Sequence, residues 1–140
     1  MYNQLYTLRK DKLAGRSPIQ ALMDEITALD FHHQVRLVNQ HIDCLFIAFK
    51  KSLLLANEFH TVVVMDCTYK TNKYKMPMLH FLGIDGFKKS FTMALCFMGK
   101  EDEDHYSWAL NALKASLNGK VPDVCITDKD MALMNVSSIT

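Results

Sequence analysis

Four apolar runs and one amphipathic helix, in a fixed order, leave this chain few folds to choose from. Thr61 to Asp66, Met78 to Asp85 ("MLHFLGID") and Phe91 to Met98 ("FTMALCFM") read as strands, and Gly86 to Lys89 supplies the turn between the last two. Short connections favour antiparallel neighbours throughout this trio. "EDEDHYSWALNALKASLNG" then has helical spacing, with Tyr106, Ala109, Leu110, Leu113 and Leu117 as its buried stripe. Acidic residues load its first turn, Lys114 sits near its end, and Gly119 stands where a C-terminal cap belongs. Val124 to Thr127 is the fourth strand. A right-handed crossover through the helix lays that strand parallel to the first. The expectation is an α/β fold with a mixed sheet built on a β-β-β-α-β core.

Upstream, "SPIQALMDEITALD" carries a helix start. Ser17 can cap, Pro18 takes the first helical position, and Gln20 completes a capping box. Ile19, Leu22, Met23, Ile26 and Leu29 follow at helical spacing. "HHQVRLV" and "HIDCLFIAF", joined at Asn39-Gln40, predict a hairpin, and "KKSLLLANEF" a short helix. Residues 1–58 are thus expected to form a helical and hairpin segment, and residues 59–140 the sheet-bearing core. Residues 1–16, with Arg9, Lys10, Lys12 and Arg16 among leucines, read as a solvated helix face, with a nucleic-acid-facing surface as the alternative.

Composition narrows the function classes. A net charge of +1 on 140 residues excludes a histone-like basic protein, so any nucleic-acid contact must rest on local lysines. The four cysteines form no CxxC pair, so neither a zinc ribbon nor a disulfide framework is supported; they read as buried thiols of an intracellular protein. No apolar run approaches the roughly 18 residues of a membrane span, and "MYNQLYTLRKDK" lacks the apolar core of a secretory signal. A cytosolic or nuclear protein with no membrane partner is expected. His32 and His33, adjacent in a strand, face opposite ways and cannot chelate one metal well.

The chemistry concentrates in "VVVMDCTYKTNKY" and "VCITDKD", where Asp66 and Asp128 each close an apolar strand. If those strands lie adjacent and parallel, both carboxylates emerge at one edge of the sheet. Hard divalent cations want such oxygen ligands, and two of them about 3.5–4 Å apart can drive an in-line phosphoryl displacement. Lys70, Lys73 and Lys75 would lie just beyond, suited to a DNA backbone. Taken singly, Asp66 is equally a turn residue and Asp128 a helix cap.

The segments "MDCTYKTNKYKMPMLHFLGID", "FTMALCFMGKEDEDHYSWALNAL" and "PDVCITDKDMALMN" resemble the transposase domain of Mutator-like elements. "AGRSPIQALMDEI" and "IDCLFIAFKKSLLLANEF" resemble the stretch before that domain, so the likeness runs over about residues 10–136. It implies a ribonuclease-H-like fold and a carboxylate triad that uses Mg²⁺ or Mn²⁺. Asp66 matches the first catalytic aspartate, in a DxTYKTN motif, and Asp128 the second, in TDxDxAL; Asp130 reads as a local cap. Such enzymes cut a phosphodiester at a transposon end, and the freed 3′ hydroxyl attacks target DNA.

The third carboxylate, a glutamate on a later helix, is expected beyond Thr140, leaving the ribonuclease-H-like sheet incomplete at its C-terminus. Glu103 is not expected to replace it, since its strand stands two places away, about 9–10 Å. The expected function is that of a transposase fragment, inactive alone, whose partners are transposon-end DNA or a full-length transposase. The alternatives are a domesticated DNA-binding regulator module, as in plant relatives, and a transposon remnant without function.

Overall fold

The computed structural model describes residues 17–29, 31–68 and 75–127. The chain divides into two compact units, Met1–Asp30 and Phe31–Thr140.

In the first unit, helix α1 (Pro18–Ala28) begins where the sequence places it. Ser17 is extended, and its Oγ accepts the backbone N–H of Gln20 at 3.2 Å. Among the described residues, no return hydrogen bond from the Ser17 N–H to Gln20 completes the expected capping box. Gln20 Nε2 donates to Asp24 Oδ1 at 3.3 Å, one turn on, which satisfies the amide without bending back. Ile26 is buried, whereas Leu29, the last member of the expected stripe, lies past the helix and is exposed.

Among the described residues, the second unit is one mixed sheet with two helices. Its elements are β1 (His32–Val38), β2 (His41–Ala48), α2 (Lys50–Glu58), β3 (Val62–Thr68), β4 (Met78–Ile84), β5 (Ser90–Met98), α3 (Glu103–Ser116) and β6 (Val124–Thr127). The strand order is β1-β2-β5-β4-β3-β6. The expected hairpin and antiparallel trio are present, and β6 lies parallel to β3, as the crossover through α3 requires. The hairpin extends the trio: β2 pairs antiparallel with β5, Cys44 opposite Met98 and Ile47 opposite Leu95.

Turn chemistry sets the registers. Asn39 and Gln40 both have positive φ (50° and 66°), the two left-handed residues of a primed hairpin turn whose twist matches its strands. Between β4 and β5 the turn is held by Asp85 more than by Gly86. Asp85 Oδ1 accepts the N–H groups of Phe87 and Lys89 at 2.8 and 2.9 Å, and Lys88 takes the left-handed position (φ 61°).

α3 is capped as its sequence predicts. Asp102 is extended and accepts from the N–H of His105, and Gly119 closes the far end with φ 80° and its N–H on the Lys114 carbonyl. All five residues of the expected stripe are buried. They share one apolar cluster with Phe46, Val63, Met65, Leu79, Phe81, Met93 and Cys96 of the sheet. Each fully buried large side chain contributes about 1.5–3 kcal/mol. α2 joins the same layer through Ala56, and its Asn57 ties it to α3, donating to the Ser116 carbonyl and accepting from Asn118 Nδ2 at 3.0 Å. Among the described residues, no helix is long and apolar enough to cross a membrane.

Candidate functional site

β3 does not end at Asp66. Pairing with β4 continues through Cys67 opposite Leu79 and Thr68 opposite Met78, so Asp66 is the fifth of seven strand residues. Strand alternation then divides the neighbours between two faces. Val63 and Met65 are buried against α3, and Cys67 packs on that same core. Asp66, on the other face, is exposed and makes no ion pair among the described residues.

The cross-strand neighbour of Asp66 is His80. Its Nε2 lies 2.9 Å from Thr92 Oγ1 on β5, so a short polar row, Asp66, His80 and Thr92, crosses three strands. Burial pulls the His80 pKa below its ordinary value, and the negative charge of Asp66 partly opposes that pull. The sequence reading did not single out His80. Alternation along "MLHFLGID" together with the hairpin register was the signal that could have found it.

On the core face, Cys67 Sγ donates to Glu101 Oε1 at 3.0 Å. This contact ties the turn that follows β5 to the end of β3. Glu103 is the exposed first residue of α3, and the cluster Glu101 to Asp104 serves the start of that helix, with Asp102 as its cap.

The remaining expected site residues are unevenly covered. Lys75 is exposed with a left-handed backbone (φ 56°) just before β4. Asp128, Asp130, Lys70 and Lys73 lie outside the described residues. The β3–β6 ladder is described up to Met65 opposite Thr127, one position before each aspartate. Thr127 Oγ1 is buried there without a hydrogen-bond partner among the described residues. An exposed carboxylate without an ion pair among the described residues offers the hard oxygen donors that Mg²⁺ or Mn²⁺ takes, so the chemistry of Asp66 fits such an ion.

The cysteines are free, with Cys44 and Cys96 buried and Cys67 and Cys125 half-buried. Burial pushes the Cys44 thiol up to about 12 and raises Cys96 and Cys125 as well, so these are inert packing groups.

Comparison with known proteins bears on this arrangement of strands. The sequence model of the MULE transposase domain matches residues 62–140, from the start of β3 to the last residue of the sequence. The chain belongs to the MULE transposase domain family. Curated relatives of this MULE domain come from Arabidopsis thaliana. The protein FAR1-RELATED SEQUENCE 5 is 24% identical over 137 residues, covering 94% of this chain and 17% of its own. FAR-RED IMPAIRED RESPONSE 1 is 28% identical over 111 residues, covering 79% of this chain and 13% of its own. FAR1-RELATED SEQUENCE 2 is 30% identical over 78 residues, covering 56% and 10%. The chain therefore spans between a tenth and a sixth of the length of these relatives. No solved structure matches it.

Proposed function

We propose that this MULE domain is the first part of a ribonuclease-H-like transposase core in which Asp66, within β3, and Asp128, the residue after β6, together hold a divalent cation. The observation that carries the reading is the parallel β3–β6 ladder with Met65 opposite Thr127. One further step along that register would set Asp66 and Asp128 side by side. Two adjacent strands with carboxylates at matching positions can share an ion. The family membership supports the same assignment.

In this reading Asp66 and Asp128 supply oxygen ligands for Mg²⁺ or Mn²⁺. The ion, when bound, would polarise a phosphodiester and activate the hydroxyl that attacks it. Lys70, Lys73 and Lys75 would meet the DNA backbone beside that edge, which sets register without reading sequence. Transposon-end DNA is the partner, and the nucleus the place of action, in a protein that supplies the third carboxylate from elsewhere in its sequence or from a full-length transposase. A polypeptide of these 140 residues carries two of the three ligands, so it should bind DNA without cutting it.

A regulator module is the second reading. What favours it is the similarity to FAR-RED IMPAIRED RESPONSE 1, whose name denotes a far-red response. Both readings require DNA contact, and only the first requires the cation.

The test is binding of a short DNA duplex across a range of salt concentrations. The expected result is salt-sensitive binding, with the slope of log affinity against log salt reduced by about 3 when Lys70, Lys73 and Lys75 are all replaced by alanine. Binding that is absent, or whose slope is untouched by the triple replacement, overturns the assignment of these lysines. Metal-dependent nicking by the 140-residue polypeptide would overturn its predicted lack of cleavage.

A further inference from the structure

Where β2 begins and β5 gives way to α3, a charged group forms that is separate from the row around Asp66. Arg36 of β1 donates from Nε and Nη2 to Asp43 Oδ2 at 2.9 and 2.7 Å, and Nη2 also reaches Asp104 Oδ2 at 3.0 Å. His105, in the first turn of α3, is buried. Its Nε2 lies 3.1 Å from Asp43 Oδ1, and its Nδ1 contacts Asp102 Oδ1. The Gly99 N–H donates to the Asp43 carbonyl at 2.7 Å, bringing the turn after β5 against the start of β2.

Ionised carboxylates only accept hydrogen bonds. An imidazole with a carboxylate on each ring nitrogen therefore satisfies both contacts only when both nitrogens carry protons. A neutral ring would set one lone pair against a carboxylate in a buried place, where the repulsion is poorly screened. Arg36 already occupies oxygens of Asp43 and Asp104, which leaves little room for a metal ion in the protein's own charge balance.

We propose that Asp43, His105 and Asp102, backed by Arg36, form a proton-operated latch that fastens the β1–β2 hairpin to the start of α3 and loosens when His105 loses its proton. The latch stands apart from the DNA reading and holds whether or not the domain contacts DNA. Every element packed on His105 contributes to the balance: Arg36 from β1, Asp43 and the Cys44 thiol from β2, and Asp102 and Asp104 from the start of α3 itself. Three carboxylates against one guanidinium favour an added positive charge at the ring.

The titration follows from these contacts. Burial lowers the His105 pKa, but the hydrogen bonds to Asp102 and Asp43 outweigh it and hold it above the ordinary 6.5. A raised imidazole contributes stability that is complete below its unfolded value and lost as pH rises through its folded one. Asp43, despite its burial, is held below the ordinary carboxylate value by His105 and Arg36. Asp102 is lowered by the backbone N–H of His105 and then by its ring. Those two contribute stability above the ordinary carboxylate value that is lost as pH falls through the depressed one. The latch is therefore closed between the two limits and opens on the alkaline side.

Two measurements on the full chain test this: the NMR titration of the His105 ring, and thermal melts from pH 5 to 9 of the parent and of His105→Gln. The expected result is a ring that titrates above 6.5, with a fall in Tm of about 2–5 °C across that titration which His105→Gln lacks. A ring that titrates at or below 6.5 overturns the latch, and so does an identical alkaline fall in both proteins. If His105→Gln fails to fold, the parent's ring titration decides alone.

Discussion

Asp66 and Asp43 are carboxylates near one end of the same sheet, and their surroundings give them different work. Asp43 is tied down, with Arg36 and His105 on its oxygens and Gly99 against it. A Cβ at Gly99 would fall 2.6 Å from Asp43 Oδ1 and 3.3 Å from its backbone oxygen, and the carboxylate could yield only by disturbing its contacts with Arg36 and His105. Gly99→Ala should therefore destabilise the chain by about 1–3 kcal/mol, the usual cost of overpacking, as read by denaturant melts. Asp66 carries no such ties among the described residues. In metal-free buffer Asp66→Asn should change stability by about 0.5 kcal/mol or less, and it should lower the His80 pKa further by removing the charge that opposes its burial. A large loss of stability in Asp66→Asn would show that the carboxylate serves the fold. Asp102→Asn separates two roles at α3. Asparagine caps a helix as well as aspartate, so the helix should persist while His105 loses a charge partner and titrates lower, which NMR reads directly.

At the scale of elements, the hairpin turn is a place where the fold is sterically taxed. Gln40 holds a left-handed backbone that glycine adopts freely. Gln40→Gly should stabilise the chain by about 0.5–1 kcal/mol, the left-handed penalty less the chain entropy glycine adds; unchanged or lower Tm would contradict this. The same scale shows what the sequence made legible. α3 could be read from end to end because its period, its acidic start and Gly119 all agree, and Asp102 and Tyr106 sit as that reading requires. The parallel sense of β6 followed from the helical crossover after β5, which returns the chain in the direction of β3 and needs no side chains to be read. The destination of the hairpin could not be read, because "HIDCLFIAF" looks alike beside any antiparallel neighbour, and its place on β5 is decided by packing of Phe46 under α3. The end of β3 was misjudged because a charged residue reads as a boundary, whereas an exposed face accepts Asp66 in mid-strand. Arg36, Asp43 and His105 were invisible as a group, since only the hairpin's attachment to β5 brings them together.

At the largest scale, the second unit is a mixed sheet whose described helices share one buried layer, with a MULE domain running from β3 onward. The central claim is that β3 and β6, parallel and in register one residue short of their aspartates, present a pair of carboxylates to one cation. Binding of such an ion would raise stability by mass action, modestly for a site of low affinity. The most direct test is Mn²⁺ binding, followed by electron paramagnetic resonance, in the parent, Asp66→Asn, Asp128→Asn and the double variant. A single shared site predicts that either replacement removes the bound ion and that the double variant loses no more than either alone. Ion binding that persists unchanged in both single variants would contradict the account.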